Sequence, residues 1–361
     1  MYYWRIMSLF AASSITVMFL FILLGILSGR GSGSADYSMA GRKSSVAGVS
    51  GILLGSLVGG ASTVGTVQMA YQWGMSAWWF TLGGGIGCLV LGVWFAAPLR
   101  RSGMGTIPGF LSLSYGRKAG FVAVAASATG TFLSIVAQFL SGAGLLGGVI
   151  SADPLVSFAM MGILTVSFIF LGGLKSFSSI GEGKIILLYI TLSICASRAA
   201  FLLISFDGIT VPMPVHPFFN LFGQGVGNGL GSGASLITGV LCTQIYIQAV
   251  FSASSPATAI KGALLSALLM PPLGILGMIV GMSMRRMGTI VDPASALSHF
   301  IATEFHPLVG GVLWGGILIT VIGTAAGLTF GVAVNIVSDI MAPRFPGLSE
   351  GKMSATATRY T

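Results

Sequence analysis

Residues 60–74 read GASTVGTVQMAYQWG and lie inside an apolar run, 46–73, long enough to cross a bilayer, for which about 20 residues suffice. A lipid-embedded helix is ordinarily filled with Leu, Ile and Val. This one gathers Gly59, Gly60 and Gly65 with Ser62, Thr63 and Thr66 near its middle. Glycine weakens a helix, and side-chain hydroxyls compete for its backbone hydrogen bonds. Backbone freed at membrane depth is tolerated only where it lines a cavity or holds something. The stretch therefore predicts a deliberately interrupted helix whose carbonyl and hydroxyl oxygens can replace the water shell of an alkali cation.

The rest of the chain supports the bilayer. Of 361 residues, 54% are hydrophobic and 7% charged, against about 25% charged in ordinary soluble domains. Apolar runs recur at about 5–28, 46–73, 76–98, 120–150, 154–173, 184–205, 233–251, 259–284 and 308–341. They predict an all-α, polytopic membrane protein of about nine transmembrane helices. The first run is too long for the core of a signal peptide and reads as a membrane helix.

The net charge of +9 reads as topology rather than nucleic-acid binding, because Lys and Arg fall in the short connections. With the N-terminus outside, the inner connections hold Arg30, Arg42, Lys43, Arg100, Arg101, Arg117, Lys118, Lys175, Lys184, Lys261, Arg344, Lys352 and Arg359. Only Arg5, Arg285 and Arg286 then fall outside, and Arg198 lies within a span. This predicts a multi-pass protein of the cell (inner) membrane with its N-terminus outside.

Cys88, Cys195 and Cys242 sit singly in apolar runs, and His216, His299 and His306 lack ligand spacing, so no transition-metal site is expected. The GEGK at 181–184 lacks the upstream glycine of a phosphate loop. No nucleophile, base and acid converge in the apolar runs, so the chain reads as no enzyme.

Glycine contributes 54 residues, and small residues four apart let membrane helices approach closely. Such pairs occur at Gly83/Gly87, Gly144/Gly148, Gly277/Gly281, Gly311/Gly315, Gly323/Gly327 and Gly327/Gly331. Pro271-Pro272 predicts a kink in the eighth span. The Pro-, Gly- and Phe-rich connection 206–231 is expected over the outer mouth. In the ninth span Thr320 and Thr324 share a helical face with Gly323 beside them, a second oxygen cluster. All eight carboxylates fall in predicted connections or at span ends, which favours sodium bound by neutral oxygens over a proton carried on an acidic side chain.

GRKSS at 41–45, VGGASTVGTVQMAYQWGMSAWWF, APLRRSG with TIPGFLSLSYG, and IGTAAGLTFGVAVNIVSDI, in that order, resemble the bacterial sodium:solute symporter family. The likeness runs over 33–345, with residues 1–30 as one extra N-terminal helix and 346–361 as a short cytoplasmic tail. It implies a LeuT-type inverted-repeat fold, with the last two core helices missing, and sodium-coupled symport of a small organic solute by alternating access. The same shortfall implies an alternative, a truncated or non-transporting membrane scaffold of that family.

Carried over by position, the resemblance places sodium on the carbonyls of Ala61, Val64 and Thr320 and on the Thr324 hydroxyl. Gly323 stands where the family usually has a serine. Gln68 matches a position that contacts solute in relatives, and the expected solute pocket adds Ala70, Tyr71, Gln138, Gln244 and Arg198. Positions carrying Asn and an aromatic gate in sugar-transporting relatives read Leu236, Gly239 and Val240 here, which disfavours sugar. Arg198, as the basic residue within a span, leans toward a carboxylate-bearing solute.

Overall fold

The computed structural model describes residues 2–29, 40–150, 153–169, 173–205, 211–289 and 291–341. The expected tail and the Arg30 connection lie outside these residues. Within them the chain is all-helical, with helices α1 Tyr2–Gly29, α2 Val46–Leu57, α3 Val64–Trp73, α4 Trp79–Val90, α5 Ala96–Arg101, α6 Ile107–Tyr115, α7 Arg117–Ile150 and α8 Pro154–Ile169. There follow α9 Gly173–Ser205, α10 Val215–Phe218, α11 Val226–Cys242, α12 Gln244–Ser252, α13 Pro256–Arg286, α14 Ala296–Glu304 and α15 Pro307–Asn335. Each of the nine apolar runs has a helical counterpart. Five helical stretches are long and apolar enough to span a membrane, and α11 with α12 make a sixth if counted as one bent span.

Two of these runs are broken. The second divides into α2 and α3 around residues 58–63, where the sequence predicts an interruption. The seventh, expected to be continuous, divides into α11 and α12, which bend by 48° at an extended Thr243. The breaks lie five spans apart, as they would if two five-helix repeats each opened with a discontinuous helix. The eighth run, α13, continues as one 31-residue helix through Pro271-Pro272. Side chains from neighbouring helices serve the carbonyls around the double proline: Trp78 Nε1 donates to Pro271 O at 3.0 Å, and the Tyr189 hydroxyl donates to Leu269 O.

Apolar side chains along the long helices, such as Phe19, Phe132, Ile190 and Leu268, remain exposed to the surroundings of the bundle, whereas α15 is almost wholly enclosed. Its glycines make that possible. A Cβ on Gly311 would fall 2.3 Å from Phe10 O and one on Gly315 3.0 Å from Ser14 Cα, so α1 lies against α15 at backbone distance. Gly83 and Gly87 admit Leu236 and Val240 of α11, and Gly144 and Gly148 admit Ala294 and Ser298 around the start of α14.

One close approach was not among the predicted pairs. Gly51 and Gly55 of α2 meet Gly181 of α9, where a Cβ would fall 2.0 Å from Gly51 O. The GEGK segment is thus part of a helix whose glycine permits contact with α2. Lys184, three residues on, projects from the same face.

We expect Gly181→Ala to lower unfolding stability by about 1–3 kcal/mol through overpacking. Gly183→Ala, whose Cβ would sit 3.7 Å from the Phe21 ring, should leave the melting temperature in detergent unchanged.

Candidate functional site

The site begins at the break in the second span. A helix end leaves backbone groups unpaired, and lipid offers them nothing. Gly59 N donates to Ser62 Oγ at 3.0 Å, and Thr63 Oγ1 returns a bond to Gly59 O at 2.7 Å. Thr66 Oγ1 reaches Ala61 O at 3.4 Å, and Gly65 N donates to Gly60 O at 2.8 Å. Gly60 N finds its acceptor on another helix, Gln138 Oε1 of α7, at 2.6 Å. The hydroxyls gathered in this stretch, together with Gln138 from α7, are the partners of the unwound backbone.

Glycine is required at two of these positions by close approach. A Cβ on Gly59 would fall 2.3 Å from Gln138 Oε1 and 2.7 Å from Thr324 Cβ; one on Gly60 would fall 2.3 Å from Ser141 Cβ. The break is therefore wedged between α7 and α15.

The carbonyls at the C-terminal end of α2 are taken up by three other helices. Thr324 Oγ1 of α15 lies 3.0 Å from Val58 O and 3.2 Å from Gly55 O. Tyr246 of α12, just beyond the second break, places its hydroxyl 3.4 Å from Ser56 O. Lys184 Nζ of α9 donates both to Gly55 O and to Thr324 Oγ1. Lys184 is 1% exposed, and α2 and α15, whose oxygens it touches, contain no Asp, Glu, His, Lys or Arg. Its nitrogen therefore lies at the negative end of the α2 dipole with neutral oxygens as partners.

This corrects the placement of Lys184 in an inner connection: it is a buried residue of a membrane-length helix. The apolar run beginning at Ile185 hid this, because the helix starts upstream, at Gly173. The usable signal was the small residue at 181, three before a lysine.

The expected sodium ligands are distributed as follows. Thr320 and Thr324 are fully buried, and Thr324 lies at the break. Thr320 Oγ1 bonds back to Gly316 O at 2.8 Å. Val64 opens α3, and the Ala61 carbonyl receives Thr66 Oγ1. Beside Gly323, where the resemblance leaves a serine missing, the Lys184 side chain passes: a Cβ there would lie 3.9 Å from Lys184 Cδ. A sodium ion sharing the Thr324 hydroxyl with a protonated Lys184 would lie about 4 Å from that charge, a repulsion of about 4 kcal/mol at an effective dielectric of about 20.

The expected solute residues are scattered. Gln68 is half-buried on α3, and Gln138 is spent on the break. Ala70 is buried against α13, where a Cβ on Gly281 would fall 2.8 Å from its own Cβ. Tyr71 donates to Thr289 O at 2.7 Å, and its ring lies 5.7 Å from the Arg285 guanidinium. Gln244 is fully engaged in holding α6 in place: its Oε1 accepts from Ile107 N at 3.1 Å and its Nε2 donates to Gly105 O at 3.0 Å. Arg198 is paired with Glu304 of α14 at 2.9 Å. A separate cavity of about 270 Å³ opens among α6, α7 and the end of α15, with Arg117 and Asp339 in its wall.

No family model and no curated protein matches this chain. A solved structure does. The substrate-bound, outward-open state of a Na+-coupled sialic acid symporter superposes with a TM-score of 0.78 over 97% of this chain and 78% of the symporter, at 12% sequence identity. The chain thus shares the helical fold of that symporter, and its long apolar helices make it a multi-pass membrane protein.

We expect Gln138→Leu, which leaves the Gly60 amide buried without an acceptor, to reduce unfolding free energy by about 1–3 kcal/mol, as read by denaturation in detergent.

Proposed function

We propose that this chain is a secondary carrier of the sodium:solute symporter type, moving a small organic solute across the membrane by alternating access. The observation that carries this reading is the pair of discontinuous helices five spans apart whose ends meet: Tyr246, past the second break, bonds to Ser56 at the first. Half-helix ends packed against each other at membrane depth form the kind of polar centre that carriers use for solute and coupling ion. A solute bound there couples to a cation if both favour the same arrangement of the helices.

Sodium is the cation that the sequence resemblance brings, and the symporter of like fold is Na+-coupled. The carrier reading itself rests on the broken helices and not on sodium. The solute stays at the level of a small organic molecule. A carboxylate on it would have to compete with Glu304 for Arg198. That pair is partly exposed, at 36% and 24%, and such pairs are worth about 0–1 kcal/mol, so a solute carboxylate can displace Glu304 at little cost.

The test is counterflow exchange in proteoliposomes with a panel of labelled monocarboxylates, amino acids, sialic acid and neutral solutes, first in sodium and then in choline. Exchange of at least one solute above empty vesicles is expected, and Gly59→Ala, which pushes Gln138 and Thr324 from the break, should lower it at least tenfold. An absence of exchange for the whole panel in both salts would leave a non-transporting membrane scaffold as the better reading.

A further inference from the structure

Three elements converge on the C-terminal end of α2, and what they hold is already a nitrogen cation donor. We infer that the side-chain amino group of Lys184 takes the place of the coupling sodium ion at the crossing of α2 and α15, so that the chain works without sodium there. The inference rests on the carrier reading for its meaning in transport, but not for its binding test.

The argument is one of position, volume and charge. A cation site in such a crossing is made of carbonyls at a half-helix C-terminus and hydroxyls of the facing helix. Here two such oxygens, Gly55 O and the Thr324 hydroxyl, the latter one of the expected sodium ligands, both accept from Lys184 Nζ. The nitrogen occupies the space in either charge state, and when protonated it also repels a second cation. The stem is enclosed too, since Lys184 is 1% exposed and the space beside Gly323 holds its Cδ.

The close contact of Gly181 with Gly51 and Gly55 draws α9 against α2 and brings Nζ within reach of the Gly55 carbonyl. Two residues fit one another: Gly323 stands where the resemblance implies a serine hydroxyl, and the Lys184 stem passes beside it. One removes a ligand that a free ion would need, and the other supplies a tethered nitrogen donor to the oxygens that remain.

The experiment uses the purified full chain in detergent and sodium itself as the probe. Bound radioactive sodium and the melting temperature are measured in sodium chloride and in choline chloride of equal ionic strength. The wild type should bind no sodium above background and melt at the same temperature in both salts. Lys184→Ala, which frees the oxygens, should gain saturable sodium binding and a sodium-dependent rise of a few degrees in melting temperature. Lys184→Gln, which keeps most of the volume, guards against a cavity-induced failure to fold.

Saturable sodium binding by the wild type overturns the inference, as does a folded Lys184→Ala protein indifferent to sodium. The wild-type measurement decides the matter even if neither variant folds. Loss of solute exchange in vesicles, by contrast, counts against carriage and leaves the sodium result standing.

Discussion

Everything in this molecule follows from having to pair the backbone of a helix that stops in mid-membrane. The carbonyls of Gly55, Ser56 and Val58 and the amides of residues 59 and 60 have no partners in their own helix, and a bilayer offers none. Four helices supply what is missing: Gln138 from α7, Lys184 from α9, Tyr246 from α12 and Thr324 from α15. Each must bring its side chain within about 3 Å, which fixes the relative placement of the helices more tightly than apolar contact alone. The glycine-to-glycine packing of α2 with α9, and the approach of Gly311 and Gly315 of α15 to the backbone of Phe10 and Ser14 on α1, are the means by which backbones come close together.

The break was legible in the sequence because glycine and hydroxyl residues have local effects: Ser62, Thr63 and Thr66 bond within a few residues of themselves, so their purpose can be read from spacing. The helical character and the apolar runs were legible for the same reason. The second break was not. The run 233–251 also carries glycine and hydroxyl residues, Gly239 and Thr243 among them, but the bend at Thr243 is supported from far away, by Gln244 bonding to Gly105 and Ile107. Contacts of such sequence separation leave no periodic trace.

Lys184 shows the limit of charge counting. Counting positive residues in connections assumes that a lysine near the start of an apolar run lies in water, and thirteen residues were assigned that way. Arg198, the basic residue within a span, has a partner that its sequence neighbours do not reveal, Glu304, 106 residues later. In both cases the surroundings of the charge are set by the helix packed across from it rather than by its neighbours in sequence. Helix α13 runs on through Pro271-Pro272, and there too donors come from distant elements, Trp78 to Pro271 O and Tyr189 to Leu269 O.

The segment after α9 carries a consequence for motion. Trp79 Nε1 bonds to Leu221 O at 3.1 Å, Ser76 Oγ lies 3.3 Å from Asn220 O, and Gly74, at a positive φ of 62°, leaves no room for a side chain against Phe218. At its other end Val211 N bonds to Arg286 O at 2.8 Å. This connector is stitched to the α3–α4 corner and to the tip of α13 together, and those two elements also touch directly through Trp78 and Pro271. They form one block, so a rocking movement that opened the solute path would carry the connector along as a passenger, and the flexing would fall at Thr243 and at residues 58–63 instead.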